Sequence, residues 1–389
     1  SFVGEPAPPP GTLENPLLVV DSEGGGTQMV DLDGAASLAT PRATPTTQPP
    51  PPQGQAAVPT EVVVDHDPGT HAADLVPPVT FEVRGMSYSV AAAQIMHDVS
   101  AALYPGEVCA LMGPSGAGKT TLLNVLACRA AGRVEGEVLM NGARANARLF
   151  KRIANYVPQD DDMLTSLTPR TQLEYVAELR LAGSSELADE ADDYALVERG
   201  RRWRPRRAKC SAEERSVRVA ALLRRMRLDV CADVPIGGDG VLGGSVKGIS
   251  GGQRKRVSIA MELVNEPSAL FLDEPTSGLD SAMAEECVAV VSELGRERGL
   301  NVVCTIHQPN AAVFLSFDEL LLLFAGRVVY HGEPAKAVRY LEAGNPWDLA
   351  GFSDALRAGK NPADLILGAL AASSRDQADG FAARWRDAS

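Results

Sequence analysis

Gly113-Pro114-Ser115-Gly116-Ala117-Gly118-Lys119-Thr120-Thr121 decides the reading of this chain. It fits the pattern G-x-x-x-x-G-K-[ST]. An apolar run, Val108–Met112, leads into it, and Thr121–Ala127 leads out with helical spacing. A strand, a glycine loop and a helix start are what a phosphate cradle requires. The glycines let backbone N–H groups turn inward on the β- and γ-phosphates, and the helix N-terminus adds unpaired donors and partial positive charge. Lys119 reaches the same phosphates as a point charge, and the Thr120 hydroxyl is suited to Mg²⁺. The spacing and its flanks predict a nucleoside-triphosphate site.

At 389 residues the chain has room for two or three domains and a sizeable core. Its net charge of −13 is uneven. Residues 1–78 carry ten acidic residues against Arg42 alone, so the remainder is only mildly acidic. Such a balance gives no global case for nucleic-acid binding. Six cysteines (Cys109, Cys128, Cys210, Cys231, Cys287, Cys304) form no C-x-x-C pair, which suits reduced thiols better than a disulfide framework or zinc. No apolar run approaches the roughly 18 residues that span a bilayer, and the first forty residues lack the basic start and apolar stretch of a secretory signal. Opening on Ser1, the chain is expected to be a piece of something longer or a processed form.

Residues 1–78 hold fifteen of the 27 prolines, including Pro8–Pro10 and Pro49–Pro52. They cannot bury enough apolar surface to offset their ordering entropy, so a disordered acidic tail is expected. A proline-binding partner could use it, although a passive tail is the better reading. Structure is expected from Val79, with strands over Thr80–Val90 and Ile95–Leu103. Further strands are read at Val134–Met140, Ile153–Val157, Leu270–Leu272, Asn301–Thr305, Leu320–Ala325 and Val328–Tyr330. Helices are read at Leu164–Leu181, Ala212–Leu228, Ser250–Asn265, Ser281–Leu294, Pro334–Leu341 and Leu365–Ala372. Strands alternating with helices argue for a mainly parallel sheet with ligand at its carboxyl edge. An insert at about 184–210 runs from Glu186, Asp189, Glu190, Asp192 and Asp193 to a basic run from Arg199 to Lys209. Such a run could bind nucleic acid or anionic lipid, but a solvated loop paired with its acidic neighbours is the better reading. Residues 373–389 are expected to be a frayed tail.

Four more stretches bear on chemistry. Ala269–Glu274 is an apolar strand ending in two carboxylates, of which Asp273 is placed for Mg²⁺ and Glu274 to orient or deprotonate water. Ser250-Gly251-Gly252-Gln253 opens a helix and forms a second anion-binding turn. Two such turns with one phosphate loop suggest that each nucleotide is held by two subunits. Gln159, where a strand ends, suits Mg²⁺ and the water. His307 follows a strand and could meet the γ-phosphate, although a lone histidine is usually structural.

Taken together and in this order, these stretches resemble the ATP-binding cassette of ABC transporters over about residues 79–372. In that family's terms Gly113–Thr121 is the Walker A loop, Gln159 the Q-loop and Ile249–Gln253 the signature. Asp273 and Glu274 close Walker B, Ser277-Gly278-Leu279-Asp280 is the D-loop, and His307 is the switch histidine. Gly248–Ser258, Leu167-Thr168-Pro169-Arg170 with Leu179-Arg180-Leu181, and Asn361-Pro362-Ala363-Asp364 are similar to the G subfamily of half-transporters. Departures are Val90 where many cassettes place an adenine-stacking aromatic (Tyr88 stands two residues earlier), Ile249 for leucine, Gln253 for glutamate, and the long insert.

The resemblance implies an α/β P-loop core with a small antiparallel β subdomain and a helical signature subdomain at about 164–265. It implies an ATPase with ATP and Mg²⁺ as ligands, Thr120, Gln159 and Asp273 about the metal, and Glu274, His307 and Gln159 in catalysis. Two cassettes, identical or not, would meet head-to-tail and power transport of a lipid-like or hydrophobic substrate. The transmembrane domain would lie outside this chain, anchoring a cassette that is soluble alone on the cytoplasmic side. The alternative is a soluble ABC ATPase acting on ribosomes or nucleic acid. A third reading, a module that holds ATP without turnover, is disfavoured by Glu274 and His307.

Overall fold

The computed structural model describes residues 78–91, 93–145, 147–181, 196–198, 201–203, 210–239, 245–344, 355–356 and 358–388. The expected tail, Pro78 apart, and most of the charged insert lie outside them. The chain runs β1 (Phe81–Val90), β2 (Ala93–Leu103), β3 (Val108–Met112), α1 (Lys119–Leu126), β4 (Arg133–Met140), β5 (Ala143–Arg144), α2 (Ala147–Ile153) and β6 (Ala154–Val157). It continues through α3 (Pro169–Leu181), the hairpin β7 (Leu196–Glu198) and β8 (Arg201–Trp203), α4 (Ala212–Arg225), β9 (Gly238–Asp239), β10 (Ser245–Val246) and α5 (Gly251–Leu263). Then follow β11 (Ala269–Leu272), α6 (Ser281–Arg298), β12 (Asn301–Thr305), α7 (Ala311–Ser316), β13 (Glu319–Phe324), β14 (Arg327–Gly332), α8 (Pro334–Gly344), α9 (Pro362–Ala372) and α10 (Ala378–Ala388).

Two sheets organise the molecule. The larger has spatial order β14-β13-β3-β12-β11-β6, parallel except for the antiparallel edge strand β14. The smaller, β2-β1-β4-β5, is antiparallel. Every residue of β3, β11 and β12 is buried, so these strands read in sequence as unbroken apolar runs. Their side chains still alternate between two cores. Val108, Ala110 and Met112 join Leu270, Leu272 and the helices of one layer. Cys109 and Leu111 join Phe271, α1 and the β subdomain on the other. Phe81, Phe150 and Phe271 meet edge-on or tilted, with centroids 5.4–6.3 Å apart, and lock the two sheets together. Asn301, buried at the start of β12, donates to the carbonyls of Val79 and Leu103 and ties both ends of the β1–β2 hairpin to the main sheet.

Several boundaries differ from the sequence reading. Helix α3 begins at Pro169, five residues later than expected. Thr168 caps it by accepting from the Thr171 N–H, and a proline is preorganised for the first helical turn. The segment after residue 373 is a docked helix, α10, and not a frayed tail. Phe381 and Ala382 are buried, and Trp385 packs on Tyr330 and Tyr340 with centroids 4.9 and 5.7 Å away. Its polar composition conceals one apolar face. The short helices α2 and α7 carry too few periodic positions to be read from sequence.

Candidate active site

The phosphate loop joins the carboxyl end of β3 to α1, and its glycines have steric reasons. Gly113 has φ 153°, and a Cβ there would lie 2.2 Å from the Leu323 carbonyl oxygen. Gly118, with φ 102°, caps α1, and a Cβ there would lie 2.6 Å from Met96 Sδ. The loop is held from behind, where the Gly326 N–H donates to the Ala117 carbonyl. Lys119 bends over it and donates to the Gly113 and Pro114 carbonyls at 2.9 and 3.2 Å. Burial pulls the Lys119 ammonium below the usual lysine range, and the charges of Glu274 and Asp273 oppose that pull.

Pairing of β11 between β12 and β6 brings distant residues to one edge. Asp273 Oδ1 accepts from the Thr305 hydroxyl at 2.7 Å and from the Thr120 hydroxyl at 3.4 Å, while Oδ2 accepts from the Tyr156 phenol at 2.9 Å. Thr305 also accepts from the Glu274 N–H at 2.8 Å. Glu274 sits at φ 47°, a conformation that costs a residue with a Cβ and recurs at functional sites. Its carboxylate accepts from Gln159 Nε2 at 3.0 Å. Burial, followed by the charge of Asp273 and its hydrogen bond, pushes the Tyr156 phenol up, so it remains a donor. The Arg129 guanidinium lies over the Tyr156 ring, 4.3 Å from its centroid, and helps to hold it.

Lys119, Thr120, Gln159, Asp273 and Glu274 thus gather at one edge. His307, exposed two residues beyond β12, emerges at that same end of the sheet. Ser250, Gly251, Gly252 and Gln253 form a separate turn. Ser250 Oγ accepts from the Gln253 N–H at 3.2 Å, and Gln253 Oε1 accepts from the Ser250 N–H at 2.9 Å. Gln253 therefore completes a capping box as glutamate would. Val90 is 45% exposed, and the Tyr88 hydroxyl accepts from the Gly132 N–H, so Tyr88 is a packing residue. Tyr156 and Thr305 went unread in the sequence. The one available signal is a hydroxyl-bearing side chain within the last two positions of each strand.

The donor set suits Mg²⁺, which keeps several waters and takes one or two protein carboxylates beside phosphate oxygens. Thr120 and Asp273 offer one hydroxyl and one carboxylate in mutual reach. Among the described residues no group of three His, Cys, Asp or Glu assembles, as a resident transition metal would need.

A phosphate loop at the carboxyl edge of a mainly parallel sheet, beside a paired Asp–Glu and a separate glycine signature turn, defines an ATP-binding domain of the ABC type. Residues 96–277 match the ABC transporter family, and the fold aligns with cbiO1 from Clostridium perfringens, part of the ABC transporter complex cbiONQ. That alignment has a TM-score of 0.50 at 22% identity and covers 68% of this chain and 95% of that one. Among curated proteins, similarity runs to ABC transporter G family member 1 of Dictyostelium discoideum (34% identical, 74% of this chain, 31% of that protein). Protein scarlet of Drosophila melanogaster is 38% identical over 72% of this chain and 36% of its own length. ABC transporter G family member 13 of Arabidopsis thaliana is 41% identical over 65% of this chain and 33% of its own length. The chain carries a G-type ABC nucleotide-binding domain, and it spans about a third of the length of these relatives. No helix among the described residues is long and apolar enough to cross a membrane.

Proposed function

We propose that this chain is the ATP-hydrolysing cassette of a G-type transporter and drives movement of a lipid-like or hydrophobic substrate through a transmembrane domain. The cassette works on the cytoplasmic face and pairs head-to-tail with a second cassette. The observation that carries the reading is the connected set Lys119, Thr120, Asp273, Glu274 and Gln159 around one sheet edge. Substrate class and topology rest on likeness to the G-type relatives, and nothing in the site favours a ribosomal or nucleic-acid partner.

Lys119 and the loop N–H groups hold the β- and γ-phosphates and offset charge that develops on the transferring group. Thr120 and Asp273, with Gln159 close by, would hold Mg²⁺, which would supply charge neutralisation. Glu274 accepts the proton of the attacking water and Gln159 aligns it, while His307 steadies the γ-phosphate. Ser250, Gly251, Gly252 and Gln253 present their turn to the nucleotide of the partner cassette.

Phosphate release and ATP binding by the purified chain test this. Glu274→Gln keeps the shape of the site and loses the base, so binding stays within a few-fold while turnover falls by roughly 100-fold or more. Lys119→Ala weakens binding itself. Near-normal hydrolysis by Glu274→Gln would overturn the role given to Glu274.

A further inference from the structure

The charged run Arg254-Lys255-Arg256 follows the signature turn inside α5, and two of its three side chains point inward. Arg256 lies 2.9 Å from Glu286 of α6. Lys255, with 4% of its side chain exposed, points to the segment after β6. Its Nζ donates to the Gln159 carbonyl at 2.7 Å and lies 2.7 Å from Asp161 Oδ1, an oxygen otherwise without a partner among the described residues. A buried ammonium is costly unless it is paired and hydrogen-bonded, and both conditions are met by the Gln159 carbonyl and the carboxylate two residues after it.

That residue is the one whose side-chain amide reaches Glu274. The backbone around it has little other support. Strand β6 ends at Val157, whose carbonyl takes its last bond from the Asp273 N–H, and Pro158 has no N–H to give. The segment from 158 to 164 has no helix or strand of its own. We infer that Lys255 is a positioning residue for ATP hydrolysis, holding the backbone of Gln159 so that its amide stays on Glu274. A lysine suits the task because one ammonium can serve a carbonyl and a carboxylate at once. It stands five residues into the helix capped by Ser250, about 7.5 Å along the axis, so the signature turn and the Gln159 loop share one stiff element.

This inference rests on the ATPase reading above, and a double-mutant cycle separates the two. Lys255→Met keeps the length of the side chain and removes the charge. It should lower kcat about tenfold while leaving ATP affinity within about threefold, as expected for one lost charge-assisted hydrogen bond. In a Gln159→Ala background the same change should cost no more than about twofold, because the group it positions is gone. Lys255→Arg should recover part of the rate. Independently of turnover, amide hydrogen exchange in 158–164 should speed up in Lys255→Met while α3 and β11 stay protected. If Lys255→Met does not fold, Lys255→Gln, whose amide still donates to one oxygen, takes its place in the cycle. Losses that multiply in the double mutant, or unchanged exchange in 158–164, would overturn the role of Lys255. A wild-type chain that releases no phosphate would sink the ATPase reading instead, and exchange would still decide for or against Lys255.

Discussion

Asp273 accepts three side-chain donors, from Tyr156, Thr305 and Thr120, and each comes from a different element. Among these the Tyr156 phenol can be removed with the least disturbance, because its ring is held by Arg129. Tyr156→Phe should leave folding nearly intact and reduce turnover about tenfold, with a higher Mg²⁺ requirement, since a hydrogen bond to a charged group is worth roughly 1.5–3 kcal/mol. Phosphate release titrated with Mg²⁺ checks this, and a wild-type Mg²⁺ profile would show that the phenol does not set the carboxylate's position. Lys119, Thr120, Asp273 and Glu274 were legible in sequence as candidates because their residue types stand at telling local spacing, and the structure brings them to one sheet edge. Tyr156, Thr305 and Lys255 were not. Tyr156 lies 117 positions from Asp273, and only strand pairing makes them neighbours.

At the scale of elements, patterns failed where tertiary contacts set the ends. Thr165 and Leu167 give their carbonyls to Gly237 and Ile236, so the stretch before α3 serves another segment instead of continuing the helix. In the charged run of α5, Lys255 and Arg256 are themselves buried and pair with partly exposed carboxylates elsewhere in the chain, Asp161 and Glu286. Strand β13 opens on another group of this kind. Glu319 is pushed from 4.5 up to about 7, first by burial and then by the charges of Glu107 and Glu333, with Lys336 opposing. His331 Nε2 lies 3.7 Å away, and burial holds that imidazole below its usual range. A carboxyl whose pKa is raised on folding leaves stability complete below 4.5 and erodes it as pH climbs through about 7. Glu319→Gln should therefore match wild type at about pH 5 and exceed it by roughly 1–2 kcal/mol at about pH 8, after discounting for partial exposure. Urea unfolding at the two pH values measures the gap. An equal gap at both would mean that the side chain acts by packing and not by charge.

For the molecule as a whole, the phosphate loop and the signature turn are separate segments, and each bonds within itself. If they serve one nucleotide only across two copies, Lys119→Ala and Ser250→Arg should each be nearly inactive alone. In a mixed dimer one site carries both lesions and the other carries neither. Mixing the variants should recover part of the phosphate-release rate, rising faster than linearly with protein concentration. A mixture no faster than the mean of its parts, beside an active wild type, would remove the support for shared sites. The mainly parallel sheet was readable from the alternation of strands with helices. The docking of α10 was not, because its partners are aromatic rings on β14 and α8, some 45–55 positions earlier.

That last helix is also wired to the back of the phosphate loop. Arg386 is paired with Asp98 on β2, and Arg327 at the start of β14 is paired with Asp379. Next to Asp98, the His97 N–H bonds to the Gly326 carbonyl, and the Gly326 N–H bonds to Ala117 in the phosphate loop. The carboxyl end of α10 is thus linked to the turn that backs the nucleotide cradle, and two backbone hydrogen bonds join β2 through that turn to Ala117.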